Sequence, residues 1–86
     1  MTSRTDPEFW RHFGLLPRRI QTTARTKFKL FQKNPFHPSL QFKNLRKGVW
    51  SVRVSAQYRA LALRDRDLLV WFWIGTHANY DDLTKR

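Results

Sequence analysis

The sequence predicts an α+β domain in which an N-terminal helical hairpin packs on one face of a three- or four-stranded antiparallel sheet. Early in the chain, apolar residues recur every three or four positions, which is the helical period. From Leu40 onward they alternate with polar residues, which is the period of a strand. The turns between the predicted strands are short, so neighbouring strands run antiparallel. A chain of 86 residues without an internal repeat is expected to form one domain, residues 1–86.

Two helix-start signals lie close together near the N-terminus. Asp6 is a good N-cap and is followed by Pro7 at the first helical position, so a short helix is expected that ends at Gly14. Pro17 begins a second helix, which runs to about Lys33 and stops before an Asn-Pro pair. Its apolar stripe consists of Ile20, Ala24, Phe28 and Phe31.

Alternating patterns place strands at Leu40 to Leu45, Trp50 to Ser55, Tyr58 to Arg64 and Leu68 to Ile74. In the last strand both alternating sets are apolar, which predicts a position inside the sheet. One set is Leu68, Val70, Phe72 and Ile74, and the other is Leu69, Trp71 and Trp73. Residues 1–5 are compatible with an edge strand or a loose segment, and residues 78–83 with a short terminal helix.

Positive charge dominates the composition. There are 17 Lys and Arg residues against 6 Asp and Glu, a formal net charge of +11, and no acid lies between Glu8 and Asp65. Such a field favours a polyanionic partner: nucleic acid, an anionic membrane or an acidic protein. The absence of cysteine excludes disulfides and fits a reducing compartment. No apolar run is long enough to span a bilayer and no signal-peptide core is present, so we expect a cytoplasmic protein without a membrane partner.

Two arginines lie in predicted strands. Arg53 alternates with the apolar residues of its strand and so points away from the buried face, where it is either an ordinary solvated side chain or a ligand contact. Arg59 shares a strand face with Leu61 and Leu63. A guanidinium in apolar surroundings needs a partner, so Arg59 either forms a structural ion pair with one of the few acids or binds a ligand.

His77 follows the Gly-Thr pair that ends the last strand. Histidine titrates near neutral pH and can act as a general acid or base, although a single loop histidine is a weak signal. Tyr80 lies one helical turn further on, where it either stacks on a base or caps the core. His12 and His37 belong to other elements and no acidic cluster accompanies them, so we predict neither a metal site nor a cofactor.

The ordered set of these features resembles the RelE/ParE family of bacterial type II toxins over nearly the whole chain. Each motif alone is weak, whereas their order is fairly specific. The motifs are Phe9-Trp10, Leu16-Pro17 with the basic helix behind it, Asn34-Pro35-Phe36-His37-Pro38-Ser39-Leu40-Gln41-Phe42-Lys43, Trp50-Ser51-Val52-Arg53-Val54, Tyr58-Arg59-Ala60-Leu61 and Trp71-Phe72-Trp73-Ile74-Gly75-Thr76-His77-Ala78-Asn79-Tyr80-Asp81.

The resemblance implies a helical hairpin on one face of the sheet and a concave basic face on the other. RelE-like members cleave messenger RNA at the ribosome by attack of the 2′-hydroxyl group, and ParE-like members inhibit DNA gyrase on a similar fold. Both are neutralised by a cognate antitoxin protein. An mRNA-cleaving toxin is therefore the leading expectation, and a gyrase inhibitor or a non-catalytic RNA-binding module are the alternatives.

Matching the family's site position by position gives Arg53, Arg59, His77 and Tyr80. The resemblance implies that Arg59 neutralises the charge of the phosphorane, that His77 protonates the leaving 5′-oxygen and that Tyr80 stacks on or orients a nucleotide. Arg53 departs from the pattern because a guanidinium is not a general base. It is expected to bind phosphate or to activate the hydroxyl electrostatically, and either His77 or the ribosome then supplies the base. The further basic residues expected to bind RNA are Lys43, Arg46 and Lys47.

Overall fold

The computed structural model describes residues 1–84, with side chains through residue 81. It contains three α-helices and five strands. In chain order these are β1 (Thr2–Thr5), α1 (Pro7–Gly14), α2 (Arg18–Lys33), a short 3-10 helix (Pro38–Leu40), β2 (Lys43–Arg46), β3 (Val49–Ser55), β4 (Tyr58–Asp65), β5 (Leu68–Thr76) and α3 (His77–Thr84). The α+β class and both N-terminal helices are as predicted.

The sheet has the strand order β1-β5-β4-β3-β2. Strands β2 to β5 form the predicted antiparallel meander, and β5 is interior, as its two apolar sets indicate. The sheet has one strand more than expected because the N-terminal segment is ordered. β1 pairs in parallel with β5, from Thr2 opposite Leu68 to Thr5 opposite Trp71.

Helix α1 begins at the predicted signal. The Asp6 side chain accepts a hydrogen bond from the Glu8 amide at 2.8 Å, and Pro7 occupies the first turn. Both N-terminal helices cover the same face of the sheet, with α1 against β5 and α2 against β3. Phe28 differs from the other members of the α2 stripe, because 39% of it is exposed.

The segment around Leu40 differs from the prediction of a strand. Pro38 to Leu40 form a single 3-10 turn, in which the Ser39 amide donates to the ring of His37, and β2 begins only at Lys43. Leu40 is completely buried, so the sequence pattern identified a core residue but assigned the wrong backbone. The proline at the start of the segment explains the difference, because it favours a helical turn over ladder pairing.

The core lies between the sheet and the helices. We call this side of the sheet the helix-covered face. Its buried residues are Phe13, Phe31, Leu40, Val52, Val54, Ala60, Ala62, Leu69, Trp71 and Ile74. The opposite side is called the open face, and it carries a smaller cluster of Leu61, Trp73 and Tyr80. Among residues 1–84, no helix is long and apolar enough to cross a membrane.

A β-bulge in β5 divides the two tryptophans between these faces. Leu61 pairs with Trp73, but the next residue, Ala62, pairs with Trp71, so β5 contains one extra residue at Phe72. Trp71 therefore joins the helix-covered face and Trp73 the open face. Simple alternation, which places both tryptophans in one set, is wrong here because the bulge shifts the phase of the strand.

Candidate functional site

The open face carries two arginines side by side at the end of the sheet where α3 begins. Arg53 of β3 pairs with Arg59 of β4, and Arg59 in turn pairs with Gly75 of β5. Both arginine side chains are half-buried. Like charges directly opposite each other in a sheet are destabilising, so this pair is a feature that folding alone does not favour.

Arg59 is held by neutral and aromatic groups. Its Nε donates to Nδ1 of His77 at 3.2 Å, and its Nη2 donates to Oε1 of Gln41 at 3.2 Å. Its Cζ lies 5.3 Å from the centre of the Tyr80 ring, a cation–π contact. The buried Nη1 makes no hydrogen bond within the part of the chain that the structure describes. Of the two alternatives for Arg59, these contacts speak against the structural ion pair.

His77 is the first residue of α3 and is fixed by backbone contacts on either side. Its own amide donates to the carbonyl oxygen of Gln57 at 2.6 Å. The hydroxyl of Thr76 accepts a hydrogen bond from the Asn79 amide and caps the helix. The position of the imidazole ring is therefore set by the β3–β4 turn and by the start of α3.

The hydrogen bond from Arg59 determines the tautomer of His77. A guanidinium Nε is always a donor, so Nδ1 of the ring accepts and a neutral ring carries its proton on Nε2. Nε2 lies 3.5 Å from Oδ1 of Asp81, one helical turn away. In this arrangement the nitrogen that a new proton must reach is occupied by Arg59.

Tyr80 lies beneath these groups. It is 6% exposed and packs with Leu61 and Trp73, while its ring centre is 5.4 Å from that of His77. The spacing along the helix brings the two rings together as expected. Of the two sequence alternatives, the structure shows the cap on a small core, and stacking of Tyr80 on a base stays a prediction.

Gln41 is a site residue that sequence reasoning missed. It lies in the loop before β2 and has a left-handed backbone, with φ 45° and ψ 46°, which is uncommon for a residue other than glycine. This conformation follows the 3-10 turn, from which the Gln41 side chain reaches Arg59. A glutamine inside a predicted strand gives no signal of a functional role, since only the fold brings it to the arginine.

The other basic residues predicted to bind RNA lie further along the open face. Lys43 pairs with Ser51, and Arg46 pairs with Val49. Val49 packs against the small cluster of the open face, so Arg46 is on that face as well. Lys47 is exposed in the turn between β2 and β3. The side-chain partners of Arg59 among the described residues are instead Gln41, His77 and Tyr80. The three basic residues extend the positive surface at the edge strand rather than completing the site.

The Arg53 side chain makes no hydrogen bond or ion pair with any residue up to position 81, the last whose side chain the structure describes. The Arg53–Arg59 pair therefore presents positive charge that carboxylates do not neutralise. Within the same residues, no group of three or more His, Cys, Asp or Glu side chains forms a possible metal site. The arrangement suits an anion with several oxygen acceptors, such as a phosphate group, beside a histidine that transfers protons.

Solved structures share this fold closely. YafQ from E. coli superposes with a TM-score of 0.73 at 18% identity, covering 91% of this chain and 94% of that one. The RelB-RelE antitoxin-toxin complex from Methanococcus jannaschii gives a TM-score of 0.74 at 12% identity, with 93% and 96% covered. At these identities the likeness shows the fold alone.

The toxin-antitoxin complex RelBE2 from Mycobacterium tuberculosis has a TM-score of 0.67 at 26% identity and covers 90% of this chain and 91% of that one. No curated protein sequence matches the chain. The sequence model described as the ParE-like toxin domain matches residues 18–82, which include every candidate site residue discussed above. The chain therefore belongs to the family of ParE-like toxin domains.

Proposed function

We propose that this protein is the toxin of a type II toxin-antitoxin system and that it cleaves messenger RNA at the ribosome. The observation that carries the proposal is the guanidinium of Arg59, which has neutral partners and touches a histidine on a basic open face. Cleavage of a phosphodiester requires a positive charge that no bonded carboxylate neutralises, and next to that charge a group that transfers protons.

The reaction proposed is attack of a ribose 2′-hydroxyl on the adjacent phosphorus. The P–O2′ bond forms, the P–O5′ bond breaks, and the products are a 2′,3′-cyclic phosphate and a free 5′-hydroxyl. Arg59 stabilises the negative charge that gathers on the phosphorane oxygens. His77 in its doubly protonated form gives a proton to O5′ as that oxygen leaves.

Arg53 and Tyr80 have supporting parts in this proposal. Arg53 cannot take the 2′-hydroxyl proton, because guanidinium stays protonated, so it binds phosphate and the proton passes to water. Tyr80 holds Arg59 by its cation–π contact, and stacking of Tyr80 on a base stays a prediction, since its ring is buried here. Lys43, Arg46 and Lys47 bind the flanking RNA backbone.

The partners that follow are an mRNA in the ribosome and a cognate antitoxin. The antitoxin–toxin complexes among the similar structures support the second of these. The net charge of +11 favours an acidic antitoxin segment as well as RNA. Since the proposed substrate is a message on the ribosome, the proposal includes a cytoplasmic location.

The experiment is to map RNA 5′ ends after induced expression of the toxin. New 5′-hydroxyl ends within coding regions are expected, and His77→Ala should remove them because the leaving oxygen then lacks its acid. We expect a loss of about 10²- to 10⁴-fold in cleavage rate. Intact messages during growth arrest would exclude RNA cleavage as the cause of the arrest.

A matched pair of arginine variants separates chemistry from folding. Arg59→Lys keeps the charge but removes the Nε donor and the bidentate geometry, so cleavage should fall sharply. Arg64→Lys makes the same change on the same strand, but Arg64 lies over Trp50, with its Cζ 4.7 Å from the ring centre, on the helix-covered side. Cleavage by Arg64→Lys should stay close to that of the natural chain.

Inhibition of DNA gyrase is the second candidate, because the matching family is described as ParE-like. A supercoiling assay with purified gyrase distinguishes the two activities: cleavage complexes that persist in His77→Ala favour gyrase. If neither RNA nor gyrase is affected, salt-dependent RNA binding without turnover identifies a non-catalytic RNA-binding module.

A further inference from the structure

The contacts of Arg59 define a resting arrangement in which His77 is not ready to act as a general acid. The Arg59 Nε–H occupies Nδ1 of His77, the nitrogen that must gain a proton before the ring becomes an imidazolium. A neutral imidazole whose remaining proton is on Nε2 is a poor acid. In this geometry the two groups that the proposed chemistry needs are engaged with each other.

We propose that Gln41 and His77 hold Arg59 in this resting position, and that a phosphate group which takes over Arg59 frees Nδ1 of His77 to accept a proton. The inference rests on the proposed function, since it concerns the same site. Gln41 acts here as a positioning residue, through Arg59. The substrate phosphate thereby generates the acid that its own cleavage requires.

The acceptors that hold Arg59 are neutral, and this makes exchange for an anion favourable. Oε1 of Gln41 and Nδ1 of His77 each accept one hydrogen bond, at 3.2 Å, on different nitrogens of the guanidinium. They satisfy the geometry of the guanidinium without compensating its charge. A phosphate dianion or diester replaces both bonds with charge-assisted ones, which are stronger. The buried Nη1 supplies a further donor.

Among the residues through position 81, the charged groups that face His77 are two arginines and one carboxylate. Arg59 contacts the ring from β4, Arg53 lies behind Arg59 on β3, and Asp81 faces Nε2 from α3. Tyr80 packs against the ring and is neutral. Phosphate at Arg59 removes a donor from Nδ1 and adds negative charge nearby, while Asp81 stabilises the protonated ring from the other side. Each change favours a proton on Nδ1.

The coupling is reciprocal by thermodynamic necessity. If phosphate at Arg59 favours a proton on His77, then protonation of His77 strengthens phosphate binding by the same factor. The doubly protonated form of His77 should therefore bind phosphate more tightly than the neutral form. This dependence is absent if the arginine and histidine act independently.

The test is a ¹⁵N NMR titration of the 86-residue chain with inorganic phosphate at fixed pH. The Arg59 Nε–H signal reports occupation of the guanidinium, and the His77 ring nitrogens report which of them carries a proton. Phosphate should shift the Arg59 signal and, with the same saturation curve, increase the fraction of His77 that is protonated on Nδ1. A DNA dinucleotide, which has the phosphodiester but no 2′-hydroxyl, should act likewise.

His37 is an internal control for this titration. Its Nδ1 accepts a hydrogen bond from the Ser39 amide at 3.2 Å, and Oγ of Ser39 lies 2.9 Å from the same nitrogen. The tautomer of His37 is therefore also fixed, with its proton on Nε2 when the ring is neutral. A backbone amide is not exchanged for phosphate, so the His37 signals should not change. The proposal is overturned if the Arg59 signal saturates while His77 stays unprotonated on Nδ1, or if phosphate leaves Arg59 unaffected.

Variants of Gln41 test the holding role. Gln41→Glu replaces the neutral acceptor with a carboxylate that competes with phosphate, so affinity should fall about fivefold. Gln41→Asn tolerates the left-handed backbone but is one methylene shorter, so the Arg59 Nη2 protons, which Gln41 holds, should exchange faster with solvent while the fold is retained. Gln32→Glu, an exposed position on α2, is the matched control and should change neither property.

Unchanged phosphate affinity in Gln41→Glu would show that Gln41 does not hold Arg59. These readouts are independent of RNA cleavage. Coupling without cleavage would refute the proposed function and leave the inference intact, and cleavage without coupling would do the opposite.

Discussion

The two faces of the sheet are built from the same strands but are opposite in chemistry. The helix-covered face is a continuous aromatic and aliphatic core in which Phe31 makes edge contacts with Phe42 and Trp71. The open face has a small cluster of Leu61, Trp73 and Tyr80, and beside it two arginines directly opposite each other. Because successive side chains of a strand point to opposite faces, the residues that stabilise the fold and the residues of the candidate site alternate along the same strands.

This difference implies that substitutions on the two faces have different consequences. On the helix-covered face they should change the free energy of unfolding, and RNA cleavage should follow only through loss of folded protein. At the charged residues of the open face they should change ligand binding and catalysis, and stability should change little or even increase. The following predictions test that separation, in order of decreasing effect.

The largest effect is expected at Phe31. Phe31→Ala removes a ring that is 3% exposed and leaves a cavity between α2 and the sheet, so the free energy of unfolding should fall by about 3–5 kcal/mol. Phe28→Ala makes the same change on the same helix at a position that is 39% exposed, and should cost about 1 kcal/mol or less. Urea denaturation of both variants measures the difference. Equal losses would contradict the placement of the core on this face.

Gly75→Ala should have an intermediate effect and tests the boundary between the two faces. A Cβ atom at this position would lie 2.6 Å from Cζ2 of Trp73, so the indole must move. We expect a loss of about 1–3 kcal/mol in the free energy of unfolding. Gly14→Ala is the control, because a Cβ there meets no atom within 4 Å and alanine favours the helix. If both variants have the same free energy of unfolding, the close contact between position 75 and Trp73 does not limit stability.

Arg53→Gln should stabilise the protein while weakening its binding to RNA. Removing one of two opposed guanidinium groups relieves repulsion, worth about 0.2–1 kcal/mol in the free energy of unfolding. Arg64→Gln removes an arginine that stacks on Trp50, so it should be destabilising. Denaturation and RNA-binding measurements on both variants check the opposite signs. A destabilised Arg53→Gln would mean that the pair is structural.

The smallest change in stability is expected at Lys47, which is exposed in the β2–β3 turn. Lys47→Ala should leave the free energy of unfolding within about 0.5 kcal/mol and reduce the slope of log affinity against log salt by about one for single-stranded RNA. Lys33→Ala, at the end of α2 on the other side, should leave that slope unchanged. Equal slopes in the two variants would place the RNA elsewhere.

Much of the site was accessible from the sequence because its residues lie on regular elements. Alternation placed Arg59 on the face of Leu61, and helical spacing placed Tyr80 beside His77, as observed. Gln41 was not accessible, because its contact with Arg59 depends on a left-handed loop conformation that no propensity predicts for glutamine. The strand at Thr2–Thr5 also could not be decided, since its pairing partner is more than 60 residues away in the chain.

The sequence by itself determined the α+β class, the two helices, the interior position of β5 and the positive charge of the protein. These follow from local periodicity, capping and composition, which need no knowledge of distant contacts. Only the tertiary structure decided the phase of β5, where the bulge at Phe72 moves Trp73 and Gly75 to the open face beside Leu61 and Arg59. A bulge arises from the fit of one strand to its neighbours rather than from its own residues.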